Sequence, residues 1–258
     1  MRLPRVILFV IALVLPVFAQ AADGFVHIDA GRANTYVPVY AMEKPNATAT
    51  LILLPGGDSG TGRISNGQPG SMNFLVRSRQ LFADERFNVL VMFRASDLRT
   101  LDFPERISSE HVKEISNVVD YATQTFGKPV WLVGTSRGTV SGTAAAIALG
   151  KAHIAGLVLT SSVTNRKAGA IGAQDIEKID VPTLVLHHKF DACPICVPSQ
   201  AEAIVGGLKN APAKKFILVD GGSSPKGDPC EAEHWHGYPN FEAQTVRLIA
   251  DWIRQPGD

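Results

Sequence analysis

The sequence predicts an α/β fold: one open, mainly parallel sheet of eight strands with helices on both faces. Apolar runs alternate along the chain with amphipathic stretches, which is the signature of βαβ units. The later apolar runs are continuous rather than alternating, as strands covered on both faces require. Of the 258 residues, 45% are hydrophobic, enough for a sizeable core. An α/β chain of this length is commonly one domain, so residues 22–258 are read as a single unit.

The first segment stands outside that unit. Arg2 and Arg5 precede an apolar run from Val6 to Phe18, and Ala19-Gln20-Ala21 has the A-x-A form of a cleavage site, so residues 1–21 read as a secretory signal peptide. The run is short for a membrane span. The mature chain is therefore expected to be secreted or periplasmic, in a compartment where disulfides persist. No second long apolar run follows, which argues against stable membrane association after cleavage.

Strands are expected at 26–29, 35–41, 49–54, 89–93, 130–133, 154–160, 183–187 and 215–219. Val112, Ile115, Val118, Val119, Ala122 and Phe126 recur at helical spacing, and so do Phe241, Thr245, Leu248, Ile249, Trp252 and Ile253. Those stripes are assigned to core packing. Residues 161–182 are rich in Ser, Gly and Ala, with little apolar content. With 25 basic and 24 acidic side chains the formal net charge is +1, which gives no basis for nucleic-acid or anionic-membrane binding.

The chemistry begins at Gly134-Thr-Ser-Arg-Gly138. Ser136 sits between two glycines, directly after the apolar run Val130 to Val133 and directly before a small-residue helix, the strand-turn-helix setting of a nucleophile elbow. A serine hydroxyl is a poor nucleophile at neutral pH and needs a base, and the base needs a partner to fix its tautomer. Asp191 lies just beyond the seventh run. His236, in His-Gly-Tyr ahead of the closing helix, is the base expected, with His234 as its alternative. Asp220 is the alternative acid, and Asp97 is a candidate for the pocket rim. Functional groups gather beyond the carboxyl ends of parallel strands, so the three loops would deliver Ser, Asp and His in that order.

Leu51 to Asp58 ends the third strand in a glycine turn. A backbone N–H of Gly57 or Asp58 could there face that of Arg137 to hold an oxyanion. The cysteines are Cys193, Cys196 and Cys230. Three pairings are possible; a Cys193 to Cys230 bridge is favoured because it would tie the acid loop to the base loop, leaving Cys196 free. Cys193, Cys196, Cys230 and His234 also have the ligand types of a Cys3His zinc site, which an oxidising compartment disfavours, so no metal is assigned.

Leu53 to Asp58, Asn73 to Arg79, Val130 to Thr139, Asp191-x-Cys193 and Cys230 to Gly237 resemble the α/β-hydrolase superfamily, and in particular a group of small exported hydrolases. The resemblance runs over most of the mature sequence, and it implies a minimal lid or none, since only the short stretch 161–182 stands where larger relatives insert one. It implies Ser136 as nucleophile, Asp191 as acid and His236 as base, with Gly57 or Asp58 and Arg137 at the oxyanion hole. It also implies cleavage of a carboxylic ester, small or polymeric, through an acyl-enzyme, with no cofactor. The same residues could serve peptide, thioester or acyl-transfer chemistry, or survive in a non-catalytic binding protein. Arg94 departs from the pattern, because a smaller or acidic residue is expected after the fourth strand.

Overall fold

The computed structural model describes residues 23–165 and 169–257, so the signal segment read over residues 1–21 lies outside the described residues. Eight strands form one sheet: β1 Gly24–Asp29, β2 Tyr36–Met42, β3 Ala49–Leu54, β4 Phe87–Met92, β5 Val130–Thr135, β6 Gly156–Thr160, β7 Thr183–His188 and β8 Lys214–Val219. Their spatial order is β1-β2-β4-β3-β5-β6-β7-β8. β1, β2 and β4 pair antiparallel, and every pair from β4 onward is parallel. All eight strands lie where the apolar runs place them, with ends shifted by one or two residues.

Among the described residues seven α-helices surround the sheet: α1 Phe74–Arg77, α2 Arg79–Asp84, α3 Phe103–Arg106, α4 Ser109–Phe126, α5 Arg137–Leu149, α6 Pro198–Gly207 and α7 Glu242–Arg254. The stripe at 112–126 becomes α4, whose start is capped by Ser108 Oγ accepting from the His111 N–H at 3.1 Å. The stripe at 241–253 becomes α7, with Phe241 at its N-cap.

The period-two geometry of a strand divides the core between the two faces. Ile52 and Leu54 of β3 pack with Ile115, Val118 and Val119 of α4, Ala145 and Ala146 of α5 and Ile204 of α6. Leu51 and Leu53 point the other way, toward Phe74 to Val76, Phe82, and Val246, Ile249 and Ile253 of α7. Burying each such side chain contributes on the order of 2 kcal/mol, so the central strands are firmly held. Between β6 and β7 the described residues form only two 3-10 turns, Ile171–Ala173 and Ile176–Lys178. No described helix is long and apolar enough to cross a membrane.

Candidate functional site

Ser136 occupies the junction of β5 and α5 with φ 52° and ψ −128°, a left-handed conformation that a residue with a Cβ adopts only under constraint. The constraint comes from both sides. The Ser136 N–H donates to the Thr160 carbonyl at 3.0 Å, and its own carbonyl accepts from Thr139 N–H and Oγ1 at 2.9 and 2.6 Å. A Cβ at Gly138 would collide with the Leu54 carbonyl, and one at Gly56 would lie 2.7 Å from Ser136 Cβ. The glycines let the loop after β3 and the start of α5 close around the serine.

Asp191 and His236 meet although they are far apart in sequence. His236 Nδ1–H donates to Asp191 Oδ2 at 2.8 Å, and the other carboxylate oxygen accepts from the Cys193 N–H at 2.9 Å. Both side chains are buried. With Nδ1 committed, His236 presents Nε2, which is buried and has no hydrogen-bond partner among the described residues. His236 and Ser136 line one cleft of about 320 Å³, together with Gly56, Gly57, Asp58, Ser71 to Phe74, Cys230 and Glu231. No hydrogen bond joins Ser136 Oγ to the imidazole. The Cys196 sulfur lies within 4.8 Å of a His236 ring nitrogen.

The turn Gly56 to Ser59, closed by Ser59 N–H to the Gly56 carbonyl at 3.1 Å, forms the opposite wall. Neither the Gly57 nor the Asp58 N–H donates to an acceptor among the described residues. The Arg137 N–H is at the first position of α5, where no intrahelical acceptor exists. These are the donors expected to hold an oxyanion.

No family profile and no curated protein matches the chain significantly. Solved structures do. A dienelactone hydrolase from Anabaena variabilis superposes with TM-score 0.62 at 14% identity, over 93% of this chain and 100% of that one. Est1E from Butyrivibrio proteoclasticus, solved with ferulic acid bound, gives 0.61 at 14% identity over 90% and 98% of the two chains. A predicted CIB-like hydrolase from Thermoplasma acidophilum gives 0.58 at 18% identity over 90% and 98%.

The chain has the α/β-hydrolase fold.

Within this α/β-hydrolase fold the remaining sequence candidates separate cleanly. Cys193 and Cys230 are bonded to each other, and Cys196 is free and buried. That bond removes two thiolates from the Cys3His alternative. Burial pushes the Cys196 thiol well above its ordinary pKa, so it is a poor nucleophile. His234 Nδ1 has no hydrogen-bond partner among the described residues; its backbone caps the 3-10 turn Trp235–Gly237 that presents His236. Asp220 does not line the cleft. Asp97 does not shape its rim either: it pairs with Arg32 at 2.7 Å, because the chain after β4 turns toward α4. Arg94 pairs with Asp58 at 2.8 Å and so steadies the cleft wall from behind. The Arg137 side chain pairs with Asp102 and lies over the Phe103 ring.

Several supporting groups carry no sequence signal. Ser161 Oγ donates to the His236 carbonyl at 2.8 Å, and the buried Tyr238 hydroxyl donates to the Leu186 carbonyl at 3.2 Å while accepting from the Ser161 N–H. Arg77 donates to the carbonyls of Met72 and Gly237, both at 2.6 Å, bracing two walls of the cleft. His188 donates through Nε2 to the Gly221 carbonyl at 2.8 Å and stacks on Trp235 at 4.7 Å. These contacts hold the turn that carries His236 against the ends of β6, β7 and β8.

Proposed function

We propose that the protein is a secreted or periplasmic serine hydrolase that cleaves a carboxylic ester through an acyl-enzyme. The observation that carries this reading is the buried Asp191 and His236 pair, whose free Nε2 faces the cleft that Ser136 enters on a strained turn. Ser136 attacks the ester carbonyl, and His236 Nε2 accepts the proton and returns it to the leaving alcohol. Asp191 stabilises the imidazolium through Nδ1–H. Water then repeats the sequence on the acyl-enzyme. The N–H groups of Arg137 and of Gly57 or Asp58 bind the oxyanion, each worth on the order of 3 kcal/mol in the barrier.

The cleft of about 320 Å³ and the absence of a helical lid among the described residues suit a short acyl ester, the reading adopted over the other acyl chemistries. The Cys193 to Cys230 disulfide supports export, in line with residues 1–21 acting as a cleaved signal peptide. In the test, purified mature protein is mixed with short p-nitrophenyl esters and, separately, with a fluorophosphonate probe. Turnover and labelling at Ser136 are expected, and both are abolished in Ser136→Ala. Labelling elsewhere, or equal turnover by Ser136→Ala, overturns the proposal.

A further inference from the structure

Arg106 is among the most buried side chains of the molecule, at 1% exposure, although arginine is almost never fully buried without a partner. It touches no carboxylate among the described residues. Its five N–H donors are directed at neutral oxygens instead. Nε donates to the Leu101 carbonyl at 3.1 Å; Nη1 donates to Ser141 Oγ at 3.0 Å and, at 3.5 Å, toward the Pro55 carbonyl; Nη2 donates to the Gly57 carbonyl at 3.0 Å and Ser59 Oγ at 2.9 Å. Burial, and secondarily Arg137, push its pKa down to about 9, so the site opposes the charge it contains. A buried cation held this way is costly, and an apolar side chain of similar volume would serve packing alone at least as well.

Asp102 and Asp58 act on it only from a distance, partly offsetting burial and Arg137. Ser141 also meets His111 Nε2 at 3.0 Å, and His111 Nδ1–H donates to Glu114 Oε2 at 2.8 Å. Glu114 Oε1 in turn pairs with Arg32 at 2.7 Å. Ser141, His111 and Glu114 thus repeat the residue types of a catalytic triad. They cannot be a second active site: all three are buried, and the space beside Ser141 is about 10 Å³, too small for a substrate.

What Arg106 joins is specific. Gly57 and Ser59 belong to the turn after β3 from which the Gly57 and Asp58 N–H groups project. Ser141 lies one helical turn beyond Arg137 on α5, the helix that supplies the other donor. A carbonyl held at Gly57 fixes the plane of the Gly57 to Asp58 peptide, because that unit is rigid. We infer that Arg106 is a positioning residue that sets the separation of the two halves of the oxyanion hole. The inference rests on the serine-hydrolase reading above.

The experiment compares wild type with Arg106→Lys and Ser141→Ala, each shown folded by circular dichroism and thermal melting. Lysine keeps the charge but cannot reach three of these acceptors at once; Ser141→Ala removes one tie and leaves Arg106 in place. Ester hydrolysis is measured beside inhibition by a trifluoromethyl ketone, which adds to Ser136 and places an oxyanion in the hole, and by the matching methyl ketone, which does not. Arg106→Lys is expected to lower kcat about 100-fold with KM within about threefold. Trifluoromethyl ketone affinity falls in parallel and methyl ketone affinity holds. Ser141→Ala shows the same split at about tenfold, and it decides the matter if Arg106→Lys does not fold. Folded variants with wild-type kcat, or equal losses for both ketones, overturn the inference alone. A wild type that neither turns over esters nor labels at Ser136 overturns the hydrolase reading, and this inference falls with it.

Discussion

The Cys193 to Cys230 bond should be the largest single contributor to stability that can be removed without touching the reacting groups. It joins the segment two residues after Asp191 to the segment six residues before His236, across a sequence separation of 37. In the chain-entropy account, opening a loop of that size frees the unfolded chain by about 4 kcal/mol at 25 °C. A domain of this size loses about 2–4 °C of midpoint per kcal/mol, so the double variant Cys193→Ala/Cys230→Ala should melt about 8–16 °C below wild type. Equilibrium urea denaturation separates the cause. Because the effect lies in the unfolded chain, which expands when the cross-link goes, the slope of free energy against urea should rise while the midpoint falls. Cys196→Ala serves as the control, since it removes a buried sulfur at 0% exposure and keeps the bridge. The double variant should still hydrolyse esters below its midpoint, because Ser161, Tyr238 and Arg77 continue to hold the base turn. An unchanged midpoint, or a loss equally produced by Cys196→Ala, would refute the reasoning.

Asp191→Asn keeps the shape of the acid but not its charge, and should lower kcat by about 10⁴-fold with the fold intact; stopped assays on p-nitrophenyl acetate and a melting curve check both halves. His187 is held by burial at a pKa of about 4 against an ordinary 6.5, so the folded protein prefers its neutral form. That contribution is complete above pH 6.5 and is lost as pH falls toward 4, a decline of about 3 kcal/mol. Burial lowers His111 and His188 in the same direction. Urea midpoints at pH 7.5 and 4.5 should therefore differ, and equal midpoints would count against the shift. Gly56→Ala places a methyl group 2.7 Å from Ser136 Cβ and 3.3 Å from its Oγ. Fluorophosphonate labelling should slow at least tenfold while stability falls by only about 1–3 kcal/mol, read from labelling time courses and thermal melts of the same preparation.

The strands of the sheet interior were legible because continuous apolar runs have few alternatives: β3 to β7 are buried along their whole length. The edge strands β1 and β8 are half exposed, yet their ends were placed as well as those of the interior strands, within one or two residues. α6 left no clear stripe because it buries only Ala201 and Ile204. Gly-x-Ser-x-Gly was legible for a different reason, since a turn this tight restricts which residues can occupy it.

Local sequence, then, was sufficient for the order of strands and helices, for the elbow at Ser136 and for a short set of acids, bases and cysteines beyond particular strands. Those follow from backbone sterics and from which side chains avoid water, both properties of neighbouring residues. That His236 and not His234 meets Asp191 needed the chain folded, because two imidazoles two residues apart differ only in which way a 3-10 turn points them. The pairing of Cys193 with Cys230 likewise depended on which loops converge. Arg106 is the sharpest case. It lies in the charged stretch Asp102 to Arg106, which reads as surface, and only the approach of the turn after β3 to α5 buries it between Gly57 and Ser141. Contacts between residues distant along the chain are settled by packing, and no local pattern encodes them.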